Sequence, residues 1–263
     1  MELGLEGRTV IVTGAASGIG KATAEAYAKE GANLALADIN YDGLKALKDE
    51  LKDTKVYIEK VDVTNAESCK TFVDHVHKEY GRIDVLVNNA GTAKIMDLAT
   101  FPEDVFRKHS ELMLYAPVRF IQLCIPYFKE NGWGSVVNMA SMFGKQPGGL
   151  LSYDSIKAAD IMISKDYANY CAPFNVNVNA VCPGPVDTPL WRAKGQLGDQ
   201  LSEATGMEKE EAIKWYAKTN IPFGRYAKPE EIANAAVFLS SEPAHYINGV
   251  ALNVDGGMVK STY

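Results

Sequence analysis

Short apolar runs alternate with longer amphipathic stretches along almost the whole chain. Seven runs have strand length: 8-RTVIVT-13, 33-NLALAD-38, 55-KVYIEKVD-62, 83-IDVLVN-88, 134-GSVVNMAS-141, 174-FNVNVNAV-181 and 249-GVALNV-254. Several have no polar face, which marks strands covered on both sides, as central parallel strands are. Between them, helical periodicity runs over about 18–30, 41–52, 65–80, 102–130, 152–170 and 229–241. The segment 187–225 is longer and less regular and holds two tryptophans, Trp191 and Trp215. This alternation predicts an α/β chain: a parallel sheet, helices over it, right-handed crossovers. No repeat, low-complexity tract or linker divides the 263 residues, so one domain is expected.

Composition narrows the function classes. Hydrophobic residues make up 47% of the chain, ample for a core. The net charge is −6 and no Lys/Arg cluster stands out, which argues against a nucleic-acid partner. No apolar run approaches the roughly 18 residues of a membrane span. The start, MELGLEGRTV, lacks the basic region and apolar stretch of a secretion signal, so a cytoplasmic location is expected. Cys69, Cys124, Cys171 and Cys182 lie far apart without a CxxC and read as buried small side chains in a reducing compartment. The histidines (His75, His77, His109, His245) form no ligand-like pattern, so no metal is expected.

The first specific chemistry is 13-TGAASGIG-20, placed between the first strand and a helix. Gly14 permits the tight turn, Gly18 lets the backbone approach a diphosphate, and Gly20 allows close helix–strand contact. The helix N-terminus then offers free N–H groups to the phosphates. At the end of the second strand stands Asp38, about 20 residues past that turn, where an acid hydrogen-bonds the adenosine ribose hydroxyls. Its charge repels a 2′-phosphate, and its sequence neighbours Ala37, Ile39 and Asn40 carry no compensating cation. The expected cofactor is therefore NAD rather than NADP.

With these residues in view, the chain resembles the short-chain dehydrogenase/reductase (SDR) family over nearly its whole length. The matching motifs are 13-TGAASGIG-20, Asp62 in 61-VDVT-64, 88-NNAG-91, Ser141 after 136-VVNMA-140, 153-YDSIK-157, 179-NAVCPGPVDT-188 and 255-DGG-257. The resemblance implies a single-domain Rossmann fold with a doubly wound seven-stranded parallel sheet. It adds Ser17, Ile19 and Ile39 to the cofactor-binding set and puts Asp62 and Val63 beside the adenine. It implies that Asn89, Ala90 and Gly91 line the cofactor cleft. Pro183, Gly184, Val186 and Thr188 then hold the nicotinamide carboxamide side.

Tyr153 and Lys157 are four apart on a helix and share a face. A cationic lysine one turn away favours a phenolate, which can remove the proton of an alcohol as hydride leaves for the nicotinamide. In reverse it donates that proton to a ketone. Lys157 is also a candidate for the nicotinamide ribose, and Ser141 for orienting the substrate oxygen. Ser141 stands one position closer to Tyr153 than the family's usual spacing, consistent with a deletion in the loop 142–152. The resemblance fails at one place. The family carries a further catalytic Asn about 40 positions before the Tyr. Here that position is Met113, followed by 114-LYAPV-118. In the family the main-chain carbonyl of that Asn holds a water linked to the Lys. Pro117 has no N–H, so the Met113 carbonyl four residues earlier is left without its helical partner. Ser110 either supplies a lost side-chain bond or bonds its own helix.

The segment 188–220 occupies the position of the family's substrate lid and carries Leu190, Trp191, Leu197, Leu201, Met207, Trp215 and Tyr216. Half of these are expected to pack the lid's own two helices. Thr92, Ala93, Ile95, Met142, Phe143 and Leu151 are further candidate walls. Lys94, Lys145, Arg192 and Lys194 are candidate anchors for an acidic substrate. The expected substrate is a secondary alcohol or ketone of moderate size with an apolar part. The resemblance implies a homotetramer built on the 102–130 and 152–170 helices and the C-terminal elements. The closing 257-GMVKSTY-263 is a candidate to reach a neighbouring site. The alternative is a cofactor-binding, weakly active or inactive subunit of a hetero-oligomer, with Met113 as the cause. An epimerase-type relative is disfavoured, since the lid is too short for such a substrate domain.

Overall fold

The computed structural model describes residues 2–261. Its strands are β1 (Thr9–Thr13), β2 (Asn33–Asp38), β3 (Val56–Lys60), β4 (Val85–Asn88), β5 (Gly134–Met139), β6 (Val176–Pro183) and β7 (Ala251–Val254). They form a seven-stranded sheet in the order β3-β2-β1-β4-β5-β6-β7, every pair parallel. The order reverses between β1 and β4, and the crevice outside the carboxyl ends of strands at such a switch is where α/β sheets take ligands.

The helices are α1 (Gly18–Lys29), α2 (Tyr41–Glu50), α3 (Ala66–Tyr80), α4 (Glu103–Ser110), α5 (Ala116–Asn131), α6 (Leu151–Cys171), α7 (Pro189–Arg192), α8 (Leu197–Thr205), α9 (Lys209–Asn220) and α10 (Pro229–Leu239). One face of the sheet packs on α1, α2 and α10 through Tyr27, Leu44, Leu47, Ile232 and Ala236. The other packs on α3, α5 and α6 through Phe72, Phe120, Cys124 and Ala168. Central strands are buried along their whole length, β1, β4, β5 and β6 among them, which explains their lack of a polar face. The fold is thus the doubly wound Rossmann arrangement, and the four cysteines lie reduced in its interior.

Two elements differ from their sequence expectation. The helix expected over 102–130 is three pieces, because a π-helical turn, Glu111–Tyr115, separates α4 from α5. The lid holds three helices rather than two, since Pro189 starts the short α7. Thr262 and Tyr263, the end of the segment expected to reach a neighbour, lie outside the described residues. Among the described residues no helix is long and apolar enough to cross a membrane.

Candidate active site

The glycine-turn side of the crevice is held by backbone geometry. Gly14 and Gly18 sit at φ +65° and +55°, in the left-handed region that glycine tolerates. A Cβ on Gly14 would lie 2.8 Å from the Ala90 Cα. Ser17 is the N-cap of α1 but makes no side-chain capping bond, so first-turn N–H groups are left to a ligand's phosphates. Asn89 locks the turn: its Nδ2 donates to the Thr13 carbonyl at 2.9 Å and the Gly14 carbonyl at 3.0 Å. The Asn89 and Ala90 N–H groups both donate to Thr13 Oγ1. Gly20, expected among the cofactor-binding residues, does not line the cleft; a side chain there would run into the Gly14 carbonyl and Asn89, so it serves close packing beneath the turn instead.

Asp38 ends β2 facing this turn. Its Oδ2 accepts from the Ala16 N–H at 3.0 Å and its Oδ1 from the Asn40 N–H at 2.8 Å. The strand register brings Lys60 of β3 opposite Asp38, a cation that sequence neighbours do not reveal, but Lys60 does not line the cleft. Asp62 Oδ1 accepts from the Thr64 N–H and hydroxyl, which shapes the Val61–Thr64 wall. Across the crevice, Pro183, Gly184, Val186 and Thr188 line the other rim. Gly184 abuts the Asp255 backbone, and the Asp255 carboxylate accepts from the Gly257 and Val259 N–H groups, so the 255-DGG-257 turn braces that rim.

The same cleft, about 840 Å³, takes in Ser141, Tyr153 and Lys157. Ser141 follows β5, and its Oγ accepts from the Phe143 N–H at 3.1 Å, which leaves the hydroxyl proton to point elsewhere. Tyr153 and Lys157 are one turn apart on α6, with the Lys157 Nζ 5.9 Å from the Tyr153 ring centroid. Lys157 is 6% exposed and donates to the Met139 carbonyl at 2.5 Å. Its second partner is Asp160 Oδ2 at 3.4 Å. Asp160 is 2% exposed, and burial pushes its carboxyl above the usual range while the Lys157 ammonium opposes that rise. Sequence reasoning missed Asp160. The signal was there: it falls on the inward spacing Lys157, Asp160, Ser164, Ala168, where a charge is uncommon.

Met113 lies in the π turn, fully buried beneath Gly91. Its Sδ accepts from the Thr92 N–H at 3.5 Å, a weak sulfur hydrogen bond that ties the helix to the 88-NNAG-91 loop. Ser110 bonds its own helix, Oγ to the Phe106 carbonyl at 2.9 Å, and so supplies no substitute bond at the site. Next to it, the His109 Nδ1 meets Ser152 Oγ at 2.7 Å, and burial with help from Lys94 lowers the His109 pKa.

The crevice wall toward 187–225 is apolar. Ile95, Leu112, Met142 and Phe143 line it with Leu190, Trp191, Leu197, Leu201 and Tyr216 of the lid. Leu150 is a wall and Leu151 is not: Leu151 opens α6 and is 40% exposed. Met207 and Trp215 also stay out of the cleft. Trp191 packs edge-on to Tyr226 at 5.0 Å and against Tyr216 at 5.7 Å. Two candidate anchors are committed elsewhere: Lys145 donates to the Ala251 carbonyl, and Arg192 pairs with Asp187 and Glu210.

A glycine turn on a helix N-terminus, an acid at the second strand's end and a Tyr/Lys/Ser group thus share one crevice. Residues 14–259 match a family profile described as enoyl-(acyl carrier protein) reductase. The chain is 36% identical to the 3-oxoacyl-(acyl-carrier-protein) reductase of Thermotoga maritima, over 97% of this chain and 99% of that protein. The chain belongs to the short-chain dehydrogenase/reductase family. It is also 34% identical to the NAD-dependent glycerol dehydrogenase of Listeria innocua, over 95% of this chain and 93% of that protein. Among solved structures, L-sorbose reductase from Gluconobacter frateurii, complexed with NADPH and L-sorbose, superposes with a TM-score of 0.93 at 35% identity. That match covers 99% of this chain and all of the other. The SDR family comprises oxidoreductases that bind a nicotinamide cofactor and act on small molecules. The glycine turn, with its left-handed backbone and uncapped helix, fits the diphosphate of such a cofactor.

Proposed function

We propose that this SDR protein is an NAD-dependent oxidoreductase that interconverts a secondary alcohol and a ketone. The observation that carries the reading is the convergence of Ser141, Tyr153 and Lys157 in the crevice that also holds the glycine turn and Asp38. Bound NAD(H) accepts or supplies the hydride. Tyr153 takes the hydroxyl proton in oxidation and returns it in reduction. In this reading the Lys157 ammonium stabilises negative charge developing on the Tyr153 oxygen and holds the nicotinamide ribose. The Ser141 hydroxyl orients the substrate oxygen. Gly14, Ser17, Gly18 and Ile19 hold the diphosphate, and Asp38 with Ile39 receives the adenosine ribose. Asp62 and Val63 flank the adenine, 89-NAG-91 walls the cleft, and Pro183, Gly184, Val186 and Thr188 hold the carboxamide side. Asp38 favours NAD by charge: its carboxylate, held by two backbone donors, would repel a 2′-phosphate.

The lid, about 188–225, closes the apolar side, which suits a substrate of moderate size with an apolar part. Free buried cysteines suit a cytoplasmic enzyme. Tyr115, Met162 and Tyr170 are more than half exposed on the π turn and α6, and they suit a homotetramer assembled through those helices. Met113 favours a second reading, a cofactor-binding but weakly active subunit of a hetero-oligomer. Titration with NADH and NADPH, followed by assay on a panel of secondary alcohols and ketones, tests both. NADH is expected to bind more tightly, and Tyr153→Phe to lower kcat by about 10²–10⁴-fold. Tighter NADPH binding, or turnover untouched by Tyr153→Phe, overturns the first reading. Tight NADH binding without turnover on any substrate selects the second.

A further inference from the structure

Lys157, which lines the crevice, pairs with Asp160, three residues along α6, at 3.4 Å. Two of the lysine's three N–H donors are engaged by the protein, one by the Met139 carbonyl on β5 and one by Asp160 on its own helix. Asp160 does not line the cleft. Its main-chain carbonyl accepts from Ser164 Oγ, which in turn accepts from Asn138 Nδ2, and Asn138 Oδ1 accepts from Asn88 Nδ2. That buried polar chain holds the main chain at Asp160 and crosses to the end of β4, while the carboxylate itself bonds Lys157. A carboxylate one turn past Lys157 draws the ammonium inward and opposes the positive field at Tyr153.

We propose that Asp160 is a positioning residue for the reaction: it holds the Lys157 ammonium against the Met139 carbonyl and tempers the field that Lys157 exerts on Tyr153. The proposal rests on the acid–base role given to Tyr153 above. Elements packed on α6 carry other titratable groups. Cys182 on β6 feels both Asp160 and Lys157, and burial pushes its thiol up to about 11, so it stays neutral. Lys145 is tied to the Ala251 carbonyl, His109 on α4 to Ser152, and Glu111 in the π turn to Arg119 at 3.6 Å. None of these stands in for the Asp160 charge at Lys157.

The test compares wild type with Asp160→Asn and Asp160→Leu, which remove the charge, and with Asp160→Glu, which keeps it. The first readout is the acid limb of kcat/KM for alcohol oxidation. Removing the charge is expected to move that limb down by about half to one pH unit, a roughly 3–10-fold gain below it. Asp160→Glu is expected to retain the wild-type limb. The second readout needs no substrate: the tyrosinate absorbance that Tyr153→Phe removes should develop at lower pH once the charge is gone. If Asp160→Asn does not fold, Asp160→Leu carries the same expectation, because hydrocarbon can replace a buried charge without leaving it unpaired. A limb and an absorbance that stay put, or move up, overturn the proposal, even where melting temperature falls. Turnover indifferent to Tyr153→Phe sinks the functional reading instead, and the absorbance arm remains readable.

Discussion

On its cofactor side the crevice is shaped by main chain: left-handed glycines, an uncapped helix start, and Asn89 bonded to the Thr13 and Gly14 carbonyls. On its substrate side the shape comes from side chains: Leu190, Trp191, Leu197, Leu201 and Tyr216, set on three lid helices and packed on one another. The two sides answer to different needs. A dinucleotide presents the same diphosphate and ribose to every enzyme that uses it, and backbone N–H groups recognise it without reference to side chains. A substrate is recognised by contour, which side chains on a movable segment can vary.

Among changes that probe this contrast, the largest expected effect comes from placing a side chain where main chain does the work. Gly14→Ala puts a Cβ 2.8 Å from the Ala90 Cα at a left-handed φ of +65°. Backbone strain at such a position costs about 1–3 kcal/mol. NADH affinity is expected to fall at least about tenfold, with a melting temperature lowered by about 2–4 °C for each kcal/mol lost. Calorimetric titration and thermal melting check both. Affinity equal to wild type would break the comparison at its stronger end.

Trp191→Ala probes the other side. It removes a ring that lines the crevice and meets both Tyr216 and Tyr226. For a substrate with an apolar part, kcat/KM is expected to drop about tenfold, mostly through KM, while NADH affinity stays close to wild type. Steady-state kinetics beside a cofactor titration separate the two. A loss of NADH affinity as large as that from Gly14→Ala would mean the lid also shapes the cofactor side.

The same contrast governs what could be read from the chain. The strands and the glycine turn were legible because buried parallel strands print continuous apolar runs, and a left-handed turn admits few residues besides glycine. Boundaries for β2 matched at both ends, 33 and 38, and α6 matched to within a residue. What escaped depends on three-dimensional placement. Lys60 stands opposite Asp38 only through strand register. Leu150 took the wall expected of Leu151 because a single step at a helix start turns a side chain away. Lys145 and Arg192 have the charge of substrate anchors, but a β7 carbonyl takes Lys145, while Asp187, five residues back, and Glu210 of α9 take Arg192. The π turn is invisible to periodicity, since five residues shift the helical phase too little to register in an apolar pattern.

That turn is also where the cofactor side leans on a side chain after all. The Met113 sulfur accepts from the Thr92 N–H, just past the 88-NNAG-91 loop, and the helix widens so that the Ala116 N–H reaches the Glu111 carbonyl. Pro117 follows and offers no N–H to the Met113 carbonyl, and on the proposed reading that carbonyl serves a proton-relay water linked to Lys157. Pro117→Ala restores the missing donor and lets the turn tighten toward an ordinary α-helix. The expected result is the smallest of the series: turnover lowered about threefold, an altered pH–rate profile, and NADH affinity nearly unchanged. Single-turnover rates across pH check it. If activity and its pH profile match wild type, the proline does not compensate for the methionine, and Met113 must serve the site through its sulfur contact alone.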